Sequence, residues 1–316
     1  MTSLTLFSPS GVVARAAPLQ RAARRLRAHG FDVRIDDAAT AKHQRFAGDD
    51  DTRLAAVHRV ADLAPQVALA TRGGYGLTRL LDRLDWPRIV RSVERGTRWV
   101  GHSDMTAFQL GLMAHSQGAS RTWAGPLACG DFGGPEVDEI TEGCFLEAMS
   151  GQLEAVGFAE GGRRRNAERP FDGLSVRGTL WGGNLCMVNT LLGTPHWPAR
   201  RLTQGGILFL EDVNEHPYRI ERGLLQLHQA GVLDSQKAVL LGDFTSFVKS
   251  PLDRGYTLAT VVAHLRSLTR TPILTGLPFG HGPTKISLPV GEKVQLLVDG
   301  RNVLLGWAHD HDHHPH

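Results

Sequence analysis

Reactive side chains fall at four places where an apolar run ends in this chain of 316 residues. The first is Gly101-His102-Ser103-Asp104, which closes a strand-like run over residues 97–101 and leads at once into a helical pattern over 105–115. A serine on such a sharp strand-to-helix turn has its hydroxyl lifted above the sheet, beside the unpaired N–H groups of the helix start, which can hold a developing oxyanion. The segment lacks the second glycine of the usual hydrolase elbow, and a serine there also serves as an ordinary helix cap. The second place is Arg72-Gly73-Gly74-Tyr75-Gly76, after a buried run over residues 67–70. Paired glycines let the backbone approach a ligand closely. The spacing fits neither the dinucleotide fingerprint nor the P-loop, so a tight turn and a ligand cradle both remain open.

The third place is Leu210-Glu211-Asp212 at the end of the apolar run from 206. A carboxylate there is placed to orient a histidine and stabilise its charged form. Adjacent Glu215-His216 lacks the i, i+4 histidine pair of a zinc-peptidase helix, so no metal is expected. The fourth is Phe279-Gly280-His281-Gly282, a histidine in a glycine-flanked loop whose role is catalytic or merely structural. Trp181, beside Gly182-Gly183, is either a substrate platform or a core aromatic.

Alternating elements must carry these residues. Strand patterns over 3–8, 31–35, 67–70 and 97–101 interleave with helical patterns over 17–29, 53–63, 77–84 and 105–115, which predicts a parallel sheet with helices on both faces. Residues 130–175 read as loops around one helix near 141–149, with glycine pairs and the basic run at 163–165. Further on, strand patterns (174–180, 206–211, 238–244, 273–276, 286–290, 293–298, 303–307) mix with helices over 185–192, 216–230 and 258–268. The expected fold class is therefore α/β: an N-terminal Rossmann- or flavodoxin-like domain over 1–130, a crossing over 131–172, a mixed, β-rich C-terminal domain over 173–308, and a His-rich tail over 309–316.

Composition narrows the function classes. With 41% apolar and 21% charged residues the chain buries a core, and 35 basic against 32 acidic residues leave a net charge of only +3. Its short basic runs do not make a nucleic-acid groove. No run approaches the roughly 20 apolar residues of a membrane span. The N-terminus lacks a secretory pattern, and three cysteines without metal-ligand spacing suit a reducing compartment, so a cytoplasmic location is expected.

Together and in order, Ser8-Pro9-Ser10-Gly11, Arg45-Phe46-Ala47-Gly48, the Arg72–Gly76 loop, Gly101-His102-Ser103-Asp104, the segment 178–185, the segment 210–217 and Phe279-Gly280-His281 resemble the LD-carboxypeptidase family. The resemblance spans residues 8–290. It implies a Ser-Glu-His triad of Ser103, Glu211 and His281, with oxyanion donors from the backbone of Asp104 and of Gly73 or Gly74. It implies a murein tetrapeptide substrate that loses its terminal D-alanine at the L-centre of a diamino acid, no cofactor, and a homodimer. Arg72 and Arg219 are placed to meet the terminal carboxylate, with Tyr75 and Trp181 as further substrate contacts. Within the same fold, an immunity peptidase acting on a peptide–nucleotide amide would use the same triad, with Trp181 stacking on the base. A non-catalytic binding protein using the glycine loop as a cradle is the reading from a different class.

Overall fold

The structure, a computed structural model, describes residues 1–161 and 171–307. The basic run at 163–165 and the His-rich tail lie outside the described residues.

The first half interleaves strands β1 (Thr2–Phe7), β2 (Phe31–Ile35), β3 (Val67–Ala70), β4 (Arg98–Gly101) and β5 (Thr122–Ala124) with helices α1 (Ala16–Ala28), α2 (Asp50–Leu63), α3 (Trp86–Glu94) and α4 (Met105–His115). The strands lie in the order β2-β1-β3-β4-β5 and run parallel. That is the flavodoxin-like winding, which reverses between β1 and β3. Every residue of β3 is buried, as expected of a strand covered on both faces. Helix α1 turns Leu19, Ala22, Ala23 and Leu26 into the core and its arginines outward, whereas α4 is buried over nearly its whole length, packed against α3 on one side.

The second half contributes α5 (Glu139–Ser150), β6 (Ala155–Ala159), β7 (Ser175–Asn184), α6 (Leu185–Leu191), α7 (Arg200–Thr203), β8 (Ile207–Val213), α8 (Pro217–Gln229), β9 (Ala238–Thr245), α9 (Leu258–Leu268), β10 (Ile273–Thr275), β11 (Leu288–Val290), β12 (Lys293–Asp299) and β13 (Asn302–Gly306). Its sheet runs β10-β9-β8-β7-β12-β13-β6, parallel from β10 to β7 and antiparallel beyond. Helix α4 also packs on α6 and β7, so the nucleophile candidate's helix sits between the two sheets.

Several local expectations are corrected. Residues 77–84 form two single 3₁₀ turns, not a helix. The Leu77 N–H is tied to the Asp104 carboxylate (2.9 Å), and Asp85 caps the helix that starts afresh at Trp86. Strand β6 lies where loops were expected: it is five residues long with Gly157 in its middle, and it is held at the sheet edge by pairing with β13 alone. Strand β11 leaves its neighbours and adds antiparallel to β5, pairing Leu288 with Ala124 and Val290 with Thr122. Chain order cannot show such a return.

Candidate active site

Three loops at the carboxyl ends of β1, β3 and β4 meet at the winding reversal, the customary ligand position of this fold. The Gly11 N–H donates to the Gly73 carbonyl (3.1 Å), joining the first two loops. Buried Arg53 donates to the carbonyls of Pro9 (3.0 Å) and Gly76 (2.9 Å), fixing the same pair from beneath. Asp104 ties them to the third loop, because its carboxylate accepts from Ser10 Oγ (2.6 Å) and from Leu77 N–H. Burial raises the Asp104 pKa, and these two donors and Arg53 oppose the rise.

Between Gly101 and the helix, Ser103 adopts a left-handed backbone with φ of 63°. A non-glycine residue held there signals a turn maintained by its surroundings. Asp104, not Ser103, occupies the N-cap of α4, and without a side-chain cap bond. The hydroxyl of Ser103 is therefore not spent on capping, and the residue is partly exposed in a cavity of about 420 Å³. Gly73 lies against it: a Cβ at that position would sit 2.7 Å from both Cβ and Oγ of Ser103. Gly74 turns at φ of 108° and faces Gly11 instead. Gly73, Gly74 and Arg72 all line the Ser103 cavity.

Glu211 and His281 come from the second sheet. The register of β8 against β9 shifts between Leu210 and Asp212, so Glu211 stands at a bulge, a device that re-aims a side chain. Glu211 is fully buried and accepts from His281 Nδ1–H at 2.7 Å. Its other oxygen accepts from Asn184 Nδ2 (3.2 Å), which also donates to Asp212 (2.9 Å). The pair leaves His281 Nε2 as the free ring nitrogen, and His281 lines the same cavity as Ser103. Burial lifts the Asp212 pKa to about 6 and also raises that of Asp243, where the charge of Glu211 adds to the rise. This side of the cavity thus crowds carboxyl groups beneath one histidine.

The other expected contacts separate. Arg72 lines the cavity and spends one N–H on the Val12 carbonyl (2.9 Å). Tyr75 is exposed and packs on Phe46 outside the residues that line the cavity. Trp181 is no platform: it is fully buried, donates to Gln236 Oε1 (2.9 Å) and meets Trp197 edge-on. Its strand continues to Asn184, which places the ring inside the sheet's packing. Arg219 lies on α8 in a different recess, beside Glu215 and Arg222. Sequence reasoning missed Asn184 as the partner of Glu211 and Asp104 as the clasp of the three loops. An amide directly after Gly-Gly at a strand end was the available signal for the first.

Among the described residues no cluster of three or more His, Cys, Asp or Glu side chains is set to hold a metal ion, and no helix is long and apolar enough to cross a membrane. Family models for the LD-carboxypeptidase N-terminal domain and C-terminal domain match residues 4–123 and 177–296. The chain belongs to the LD-carboxypeptidase family. Among family members, a muramoyltetrapeptide carboxypeptidase from Oxalobacter formigenes, known from a crystal structure, is 37% identical with a TM-score of 0.86, covering 98% of this chain and 99% of that one. The murein tetrapeptide carboxypeptidase of Pseudomonas aeruginosa is 30% identical over 93% of this chain and 92% of its own. The microcin C7 self-immunity protein of Escherichia coli is 26% identical over 74% of this chain and 72% of its own. Structures of that immunity protein superpose with TM-scores near 0.83 at 22% identity, which shows a common fold only.

Proposed function

We propose that this LD-carboxypeptidase family member is a serine peptidase that releases the terminal D-alanine of a murein tetrapeptide. The observation that carries the proposal is the 2.7 Å His281–Glu211 hydrogen bond beside a cavity shared with Ser103, itself on a strained turn against Gly73. Ser103 Oγ attacks the scissile carbonyl while His281 Nε2 takes its proton. Glu211 holds the ring tautomer and offsets the imidazolium charge. His281 then protonates the leaving amine, D-alanine departs, and water attacks the acyl-enzyme by the reverse proton path. The oxyanion is held by the backbone N–H of Asp104 at the start of α4 and by that of Gly73. Gly73 is preferred over Gly74 because it abuts the hydroxyl; one such donor is typically worth about 3–4 kcal/mol. Arg72 meets the terminal carboxylate. Peptidoglycan recycling in the cytoplasm and a homodimer belong to the same proposal, the dimer being read by light scattering.

The nucleotide-amide reading depended on Trp181 stacking on a base, and its burial removes that support. The test is D-alanine release from tetrapeptide, measured beside cleavage of an aminoacyl sulfamoyl adenosine. The expected result is release of D-alanine, with Ser103→Ala at least about 10³-fold slower. Preferential cleavage of the nucleotide, or activity that survives Ser103→Ala, would overturn the proposal.

A further inference from the structure

The loop that carries His281 is fixed at both ends and soft in the middle. The Asp243 N–H donates to the Phe279 carbonyl (2.8 Å), and the Ile286 N–H closes the loop on the Pro278 carbonyl (2.9 Å). Between these ties the histidine is flanked by Gly280, at φ of 142°, and by Gly282. Side chains are excluded there: a Cβ on Gly280 would sit 3.0 Å from Asp243 Cβ, and one on Gly282 would sit 2.5 Å from Asp243 Oδ2. Close packing over Asp243 thus requires the residue type that restrains a backbone least. The Glu211 bond orients the ring but does not hold the main chain on either side of it.

Lys285 supplies that restraint. Its Nζ donates to the Gly282 carbonyl (2.9 Å), the one carbonyl of residues 280–282 with a protein donor among the described residues. The ammonium is 3% exposed and is paired with Asp131 Oδ1 (2.5 Å). Asp131 stands on the helical turn Ala128–Phe132, where its other oxygen accepts from the Leu127 N–H (2.7 Å). That turn is itself anchored. Arg25 of α1 donates to the Phe132 and Gly134 carbonyls (2.7 Å each), and the Cys129 N–H donates to the Thr71 carbonyl (2.8 Å), one residue before the glycine loop. A continuous path therefore runs from the glycine loop through Cys129, Asp131 and Lys285 to the carbonyl beside His281. Burial strengthens its bonds, because little water competes for them. The charge of Lys285 also opposes the rise in the Asp243 pKa that burial and Glu211 cause.

We propose that Lys285 is a positioning residue for His281: by holding the Gly282 carbonyl and bridging to Asp131, it fixes the histidine loop against the half of the site that carries Ser103 and Gly73. His281 Nε2 then stays aimed at Ser103 while the ring takes up the proton and returns it. The inference rests on the proposed peptidase activity. It adds a residue that touches no reacting atom, whose loss costs the chemical step and leaves substrate binding intact.

The experiment compares Lys285→Met, which keeps the buried stem and removes the donor, with Asp131→Asn, which breaks the ion pair but leaves the lysine amine donating to Gly282. Each variant strands one buried partner, so both should unfold at lower denaturant concentration than the wild type. Only Lys285→Met should lose chemistry. With enzyme in excess over tetrapeptide, its saturating single-turnover rate of D-alanine release should fall about 10- to 100-fold, with the half-saturating concentration within about twofold of wild type. Asp131→Asn should stay within about threefold of the wild-type rate. A single-turnover rate constant does not depend on the folded fraction, so lost stability alone does not lower it. Hydrogen exchange over residues 277–287, read against the buried strand β3, should quicken in Lys285→Met and not in Asp131→Asn. An unchanged rate or unchanged exchange in Lys285→Met overturns the proposal, as do equal losses of rate in the two variants. Should Lys285→Met fail to fold, Asp131→Asn decides alone: a loss of about tenfold or more contradicts a restraint that this variant leaves in place, and a rate near wild type beside lowered stability supports it. Absence of D-alanine release by the wild type, with exchange quickened in Lys285→Met alone, overturns the peptidase reading and leaves the restraint on His281 standing.

Discussion

Ser103 reaches the cavity on a backbone turn, whereas His281 reaches it on a loop fixed by a side-chain hydrogen bond to a buried carboxylate. The first half is built from main-chain atoms: a left-handed serine, a glycine pressed against it, and carbonyls clasped by Arg53. The second half is built from a polar chain of Asn184, Glu211 and His281, with Asp212 and Asp243 crowded beside it. The difference teaches where each half is vulnerable. The backbone half fails when an atom is added; the side-chain half fails when charge or donor direction is changed without any change in volume.

Glu211→Gln is the sharpest test of that contrast. Asn184 donates to one oxygen of Glu211 and His281 to the other, so a glutamine that keeps the first bond turns its own N–H toward His281. The ring is driven to the wrong tautomer, and the rate of D-alanine release should fall about 10³- to 10⁴-fold with the fold intact by circular dichroism. A loss of tenfold or less would mean that Glu211 does not set the tautomer.

Asp212→Asn probes the same half through stability. Burial raises its pKa from 3.8 to about 6. Below about pH 4 the folded and unfolded forms both hold the proton and burial costs nothing. Between pH 4 and 6 the unfolded chain ionises first, so stability is lost as pH rises, and the loss is complete above the folded value. Asparagine does not ionise, so the stability of Asp212→Asn relative to wild type should climb across that window, by up to about 3 kcal/mol. Denaturant unfolding at pH 4, 5, 6 and 7 reads the difference; a flat difference contradicts the raised pKa.

Gly73→Ala tests the backbone half. The added methyl meets Ser103 Cβ and Oγ at 2.7 Å, so the hydroxyl must shift, and kcat should drop about 10- to 100-fold. Wild-type turnover in Gly73→Ala would show that the loop yields and that the half is not fixed by its backbone. The smallest effect on turnover belongs to Trp181→Phe, which lies outside both halves. Loss of the Gln236 bond and of ring contact should lower unfolding stability by about 1–3 kcal/mol, with kcat within twofold of wild type. A large change in KM would return Trp181 to the substrate.

Much of the fold was legible because its parallel strands are buried on both faces and read as plain apolar runs, as at Val67–Ala70 and residues 207–210. The edge strand β6 and the returning strand β11 were not legible as parts of their sheets. One is short and broken by Gly157, and both find their partners through contacts more than 140 residues away in sequence. At the site, residue types at strand ends pointed to Ser103, Glu211, His281 and the glycine loop, since strand ends are where this architecture gathers reactive groups.

The sequence by itself determined the family, the alternation of most of the elements and the types of side chain that stand at their ends, because periodicity and turn residues are local properties. Only the tertiary structure decided what those side chains do. It put Trp181 in the core and Arg219 in another recess, tied Asp104 to Ser10, and set Asn184 behind Glu211. It also tied the loop of His281 to Asp131 through Lys285. Hydrogen bonds and charge act over a few ångströms in space, whatever the separation along the chain, and spacing in one dimension does not report them.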